Sequence, residues 1–179
     1  MEENIKKIEL VFRDSFSSEE LFDAFADALK LRVDDVELFK ILLANPSLSI
    51  DEVKMFAEKI IKEMPNSLYH ISMWCAKVFE NYAEQYEYLD SSINYYLKAI
   101  NAVPANFEPL VSILNLYNME IDMPANKRIL EIVNNCIPPV NLKSKVYYAL
   151  ADLYKHLGDL DTASRNLALA AKAAERENE

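Results

Sequence analysis

The feature that most restricts the fold of this chain is that glycine occurs once, at position 158, among 179 residues. A globular domain contains about 7% glycine on average. Tight β-hairpins and phosphate-binding loops depend on glycine, because it reaches positive φ and lets a ligand approach the backbone closely. The sequence therefore disfavours a hairpin-rich β protein and excludes glycine-rich nucleotide loops. It predicts an all-α fold.

Charge and hydrophobicity narrow the choice of partners. Hydrophobic residues make up 51% of the chain, which supports a single domain with a sizeable core. The formal net charge is −10, and residues 1–65 contain 15 acidic and 9 basic residues. An acidic protein is a poor match for nucleic-acid phosphates and for anionic membrane surfaces. We therefore predict no nucleic-acid partner.

Targeting and membrane segments are not indicated by the sequence. The amino-terminal residues are charged and lack the apolar region of a signal peptide. No apolar run approaches the roughly 20 residues that a membrane-spanning helix needs. We predict a cytoplasmic protein without membrane insertion.

Apolar residues recur at helical spacing along almost the whole chain, in segments separated by short breaks. Helix starts are marked by capping residues, such as Ser17 or Ser18 and Ser49, and helix ends by prolines, such as Pro46 and Pro65. This pattern predicts about nine to ten helices, arranged in helix–turn–helix pairs.

Three prolines indicate a repeat. Pro65, Pro104 and Pro138 stand 39 and 34 residues apart, and each ends one predicted helix just before another begins. In the last predicted hairpin, Gly158 separates two helical segments. A glycine at a helix end takes the left-handed conformation at little steric cost, so we predict positive φ at Gly158.

The last hairpin resembles a tetratricopeptide repeat, in which small residues let two helices cross closely. Ala151 and Ala163 occupy the crossing positions, whereas the preceding unit has Ile121 where the glycine is expected and Asn126 where the crossing alanine is expected. The residues that match the repeat pattern are Tyr147, Leu150, Ala151, Tyr154, Gly158, Leu160, Ala163, Leu167 and Ala170.

The resemblance implies a right-handed superhelix, or α-solenoid, of antiparallel helical hairpins. It also implies that the first helix of each unit lines a concave groove for a peptide or helix of a partner protein. Within a single domain over 1–179, the predicted parts are an amino-terminal helical cap at 1–33 and hairpin units at 34–67, 68–106, 107–140 and 141–177.

Several side chains on the predicted first helices are candidate partner-binding residues. The combination of Lys, Arg and Asn with which some members of the family grip acidic chaperone tails is not assembled, so we expect an apolar or basic partner segment. The candidates are Tyr69, Met73, Trp74, Lys77, Ser112, Asn115, Lys145, Tyr148, Asp152 and Lys155.

One hairpin is rich in aromatic residues, and two interpretations of it stay open. The rings can fill the space between helices, or they can form a partner-binding patch, since Tyr and Trp are favoured at interfaces. The residues are Tyr69, Trp74, Tyr82, Tyr86, Tyr88, Tyr95 and Tyr96.

No set of residues predicts catalysis, a metal or a cofactor. His70 and His156 lie in different predicted hairpins, and Cys75 and Cys136 are far apart, which favours two buried, reduced thiols. Acidic pairs such as Asp51–Glu52 fall in first helical turns, where they complement the helix dipole. We predict a protein that is not an enzyme. Two alternatives to a scaffold are left open, namely a self-associating subunit (a homo-oligomer) and a secretion-type chaperone.

Overall fold

The computed structural model describes residues 2–119 and 123–178, with only the backbone of residue 123. Over these ranges the protein is all-helical and contains no strand, which confirms the all-α prediction. None of the helices in these ranges is long and apolar enough to cross a bilayer. A short 3-10 helix spans Pro65–Ser67. The α-helices are α1 (Glu2–Asp14), α2 (Ser18–Lys30), α3 (Val36–Leu43), α4 (Ile50–Glu63), α5 (Leu68–Glu80), α6 (Tyr86–Ala102), α7 (Glu108–Leu114), α8 (Met123–Cys136), α9 (Lys143–His156) and α10 (Leu160–Glu177).

The helices begin where the sequence places capping side chains. Ser17 accepts a hydrogen bond from the Glu20 amide at the start of α2. At the start of α4, Ser49 and Glu52 form a capping box, in which each side chain bonds the backbone of the other residue. These bonds satisfy amides that have no partner within the helix. The predicted caps at Ser17 and Ser49 are confirmed.

The turn between α9 and α10 confirms the prediction for the glycine. Gly158 has a φ of 78° and lies just past the end of α9. The amide of Asp159 donates to the Tyr154 carbonyl, which closes the end of the helix. α9 and α10 pack against each other, and Ala151 and Ala163 are both buried.

Three details of the sequence-based prediction are corrected. Helical spacing of apolar residues predicts one helix over residues 106–119, but α7 ends at Leu114, because the chain turns at Asn115 to bring Leu116 into the core. On α10, Leu167 is half exposed, and Asn166 faces the core instead. Cys136 is only partly buried, since it sits at the last position of α8. Ile121, which stands where the repeat pattern has a glycine, lies outside the described residues.

The first four helices share an aromatic core. Phe12 of α1 and Phe25 of α2 both pack on Phe39 of α3, with ring centroids 6.4 and 5.9 Å apart. Phe25 also meets Phe56 of α4 edge-on at 4.8 Å. The predicted amino-terminal cap is therefore packed against the helices that follow it, and the buried core continues from α1 to α9.

Candidate binding surfaces

An exposed stripe runs along α9. Lys145, Tyr148, Asp152 and Lys155 recur at spacings of three and four residues, and all four side chains are exposed. The other side of the same helix is buried, for example at Leu150. At about 1.5 Å per residue, the stripe is about 15 Å long. The structure therefore brings these four predicted site residues together on one surface.

The candidates on α5 are mostly turned towards neighbouring helices. The Trp74 indole N–H donates to the Lys40 carbonyl on α3 at 2.8 Å, and the Lys40 ammonium lies 5.7 Å from the ring. Trp74 and Met73 are half-buried, whereas Lys77 is exposed. These contacts favour the packing interpretation for Trp74.

Tyr69 joins α5 to the start of α7. Its hydroxyl donates to Glu108 at 3.1 Å and accepts from the Asn106 amide at 2.7 Å. Burial, and then the Glu108 carboxylate, raise the pKa of Tyr69 to about 12. Farther along α7, Ser112 is partly buried, and Asn115 is exposed at the carboxyl end of the helix. The candidates on α5 and α7 therefore do not form a continuous exposed row with those on α9.

Two of the clustered tyrosines are internal. Tyr95 donates to Glu58 of α4 at 3.0 Å, and Tyr96 donates to Glu80 of α5 at 2.6 Å. Burial, more than the neighbouring carboxylates, raises the pKa of both hydroxyls. The packing interpretation therefore fits Tyr95 and Tyr96.

Other tyrosines of the cluster face outward. Tyr82 is 49% exposed and Tyr86 is 63% exposed. Neither hydroxyl makes a hydrogen bond within residues 2–119 and 123–178. The ring of Tyr82 packs against Tyr88 with centroids 5.3 Å apart. The aromatic hairpin is thus divided into an internal pair and an exposed edge, a division that its sequence did not reveal.

Charge is unevenly distributed along the described chain. Residues 2–119 contain 20 acidic and 11 basic residues, whereas residues 123–178 contain 6 acidic and 8 basic ones. The acidity of the whole protein therefore belongs to its first seven helices, and the last hairpin offers exposed cations.

Two reactive side chains lie on different helices, Cys75 on α5 and His156 on α9. Cys75 is fully buried, and burial raises the pKa of its thiol. The His156 ring nitrogen lies 2.7 Å from the Asp152 carbonyl within α9. Among the described residues, no three His, Cys, Asp or Glu side chains could jointly hold a metal ion.

Comparisons with protein-family models, with curated proteins and with solved structures find no match to this chain.

Proposed function

We propose that this protein is a non-catalytic scaffold or adaptor that holds a peptide or helix of a partner protein in a groove. In this proposal the hairpins stack as a tetratricopeptide-like, right-handed superhelix, with α5, α7 and α9 lining the concave side. Packing between alternate helices supports the stacking, because α1 contacts α3, α3 contacts α5, and α7 contacts α9.

Polar contacts between helices also support stacking, since they recur at chain separations close to the length of one hairpin unit. Four of these contacts join residues that are 34 to 39 positions apart, as expected when successive units lie side by side. The pairs are Trp74–Lys40 (34 residues), Tyr95–Glu58 (37 residues), Arg128–Asp90 (38 residues) and Tyr69–Glu108 (39 residues).

The observation that carries the binding proposal is the α9 stripe. It presents one aromatic side chain, Tyr148, that is 45% exposed, between the exposed cations Lys145 and Lys155. An exposed tyrosine surrounded by polar side chains can supply the anchor of an interface at a low entropy cost. The mixed charges around it suit a partner segment with both apolar and polar residues.

The test compares proteins captured from native lysate by the wild type and by Tyr148→Ala/Lys155→Ala. A matched control is Lys127→Ala/Glu131→Ala, which removes an exposed ion pair on α8. We expect the stripe variant, with unchanged circular dichroism, to lose a partner that the control retains. If a purified partner is obtained, loss of the tyrosine anchor should weaken binding about 30-fold. Identical capture by all three proteins would refute a binding role for α9.

A further inference from the structure

A small cavity opens between the α3–α4 turn and the α5–α6 turn. It has a volume of about 150 Å³, and ten of its eleven lining residues have apolar or aromatic side chains. Pro46 and Leu48 form one wall, and Tyr82 and Tyr88 form the other. An apolar cavity of roughly this size is large enough to hold a benzene ring. It therefore fits one aliphatic or aromatic side chain from another molecule.

The polar side chain in the lining, Asn45, already has partners. Its amide nitrogen donates to the Phe12 and Ser15 carbonyls at 2.9 and 3.0 Å. Its oxygen accepts from both the amide and the hydroxyl of Ser47. Asn45 therefore has no free hydrogen-bonding group to offer a ligand, and the other side chains of the lining are apolar or aromatic.

Carboxylates lie close in sequence to the residues that line the cavity. Glu84 and Glu87 are exposed on the same turn as Tyr82 and Tyr88, and Asp51 is exposed at the start of α4. No lysine or arginine occurs between residues 78 and 97. An occupant should therefore place cations on either side of its apolar anchor.

The last helix of the protein carries that pattern. Leu169 of α10 is 45% exposed. Exposed Arg165 lies four residues before it, and exposed Lys172 and Arg176 lie three and seven residues after it. Residues at these spacings share one face of a helix. None of the three cations forms an ion pair within the part of the chain that the structure describes.

We propose that the protein associates with itself head to tail, with Leu169 of one copy seated in the cavity between Tyr82 and Tyr88 of the next. Arg165, Lys172 and Arg176 then face Glu84, Glu87 and Asp51. The contact joins two different surfaces, so it adds copies in series unless the rotation closes a ring. It uses none of the α9 residues, and its failure would leave the groove proposal standing.

The first test is sedimentation equilibrium from about 10 μM to about 1 mM protein, the range in which a small interface associates. We expect the average mass to rise steadily above the 20.6 kDa of the monomer. Tyr82→Ala and Leu169→Ser should each weaken association at least ten-fold, because each removes one side of the apolar contact. A matched control is Leu160→Ser, which removes a leucine that is 65% exposed at the other end of α10, nine residues from Leu169.

Charge reversal provides the stricter test. Glu84→Lys/Glu87→Lys and Lys172→Glu/Arg176→Glu should each stay monomeric alone, because each variant places like charges on both sides of the contact. An equal mixture of the two proteins should associate, because the reversed cavity edge of the first variant then meets the reversed α10 of the second, and the two unreversed surfaces also meet. Lys6→Glu/Lys62→Glu makes the same charge change as the second variant at other exposed sites and should leave association unchanged. A wild type that is monomeric at the highest concentration, or a mixture that stays monomeric, would overturn the proposal.

Discussion

Two helices of this protein end with the same hydrogen bonds but with different residues at the critical position. After α9, the Gly158 amide donates to the Lys155 carbonyl, and the next amide reaches back five residues to Tyr154. After α2, the Arg32 amide donates to the Leu29 carbonyl, and the next amide reaches back five residues to Ala28. Both central residues have positive φ, 78° at Gly158 and 51° at Arg32.

We expect Arg32→Gly to stabilise the protein and Gly158→Ala to destabilise it, each by about 1 kcal/mol. The left-handed conformation costs a residue with a Cβ about 1–2 kcal/mol, and glycine gives back about 0.5–1 kcal/mol through its larger unfolded-state entropy. Nothing lies within 4 Å of a Cβ added at Gly158, so the cost there comes from the backbone alone. Arg32 is exposed and takes part in no side-chain hydrogen bond within the described ranges, so little is lost with its side chain.

The first measurement is urea unfolding followed by circular dichroism, in which the free energies of unfolding are compared between proteins with the same dependence on urea concentration. The second is a thermal scan, in which a change of about 1 kcal/mol shifts the midpoint by about 2–4 °C. Arg32→Ala is the control, because it removes the side chain but keeps the backbone strain. It should not stabilise the protein. Equal stabilisation by Arg32→Ala and Arg32→Gly, or an unchanged stability of Gly158→Ala, would exclude backbone strain at these two positions as the cause.

Three further predictions follow from buried or capped groups. The hydroxyl of Ser72 is fully buried without a hydrogen-bond partner among the described residues, so Ser72→Ala should raise the free energy of unfolding by about 1 kcal/mol in the same urea assay. Hydrogen bonds from Ser49 hold the pKa of Glu52 below its ordinary 4.5, so the ionised carboxylate stabilises the folded protein. In urea titrations at several pH values, the wild type should have a higher free energy of unfolding than Glu52→Gln above pH 4.5, and this difference should vanish as the pH falls further. With Ellman's reagent, Cys136 should react in the folded protein, whereas Cys75 should react only after unfolding, because it is fully buried.

The helix boundaries could be predicted because the signals that set them are local. Ser49 and Glu52 stand three residues apart, and a serine and a glutamate at that spacing can complete a capping box whatever the rest of the chain does. Gly158 was predictable for the same reason, since glycine is the residue that most readily takes the left-handed conformation. Arg32 was not, because nothing about an arginine indicates positive φ. It became visible only in the hydrogen bonds that end α2.

The candidate sites were predictable only in part, because binding surfaces depend on which turns and helices become neighbours. Helical spacing within α9 is enough to put Tyr148 on the side of the helix away from buried Leu150, and Tyr148 is 45% exposed. The orientation of the Trp74 side chain depends on α3, because the Lys40 carbonyl there accepts a hydrogen bond from the indole N–H. The cavity beside Tyr82 needs two turns that are more than thirty residues apart to meet, and no local pattern specifies their meeting.

The two proposed surfaces should respond differently to salt, and this difference separates them experimentally. In the proposed contact between copies, Leu169 fills the cavity and exposed charges such as Glu84 and Lys172 attract each other. Salt screens this attraction, because the Debye length falls from about 10 Å at 0.1 M to about 3 Å at 1 M. The α9 stripe has cations on both sides of Asp152, so the net attraction of a partner to it varies less with salt, and Tyr148 supplies contact area that salt does not screen. Self-association that weakens strongly with added salt, alongside partner capture that persists, is the result expected if both surfaces act. Self-association that persists undiminished at 1 M salt would instead indicate an apolar contact that needs none of the α10 cations.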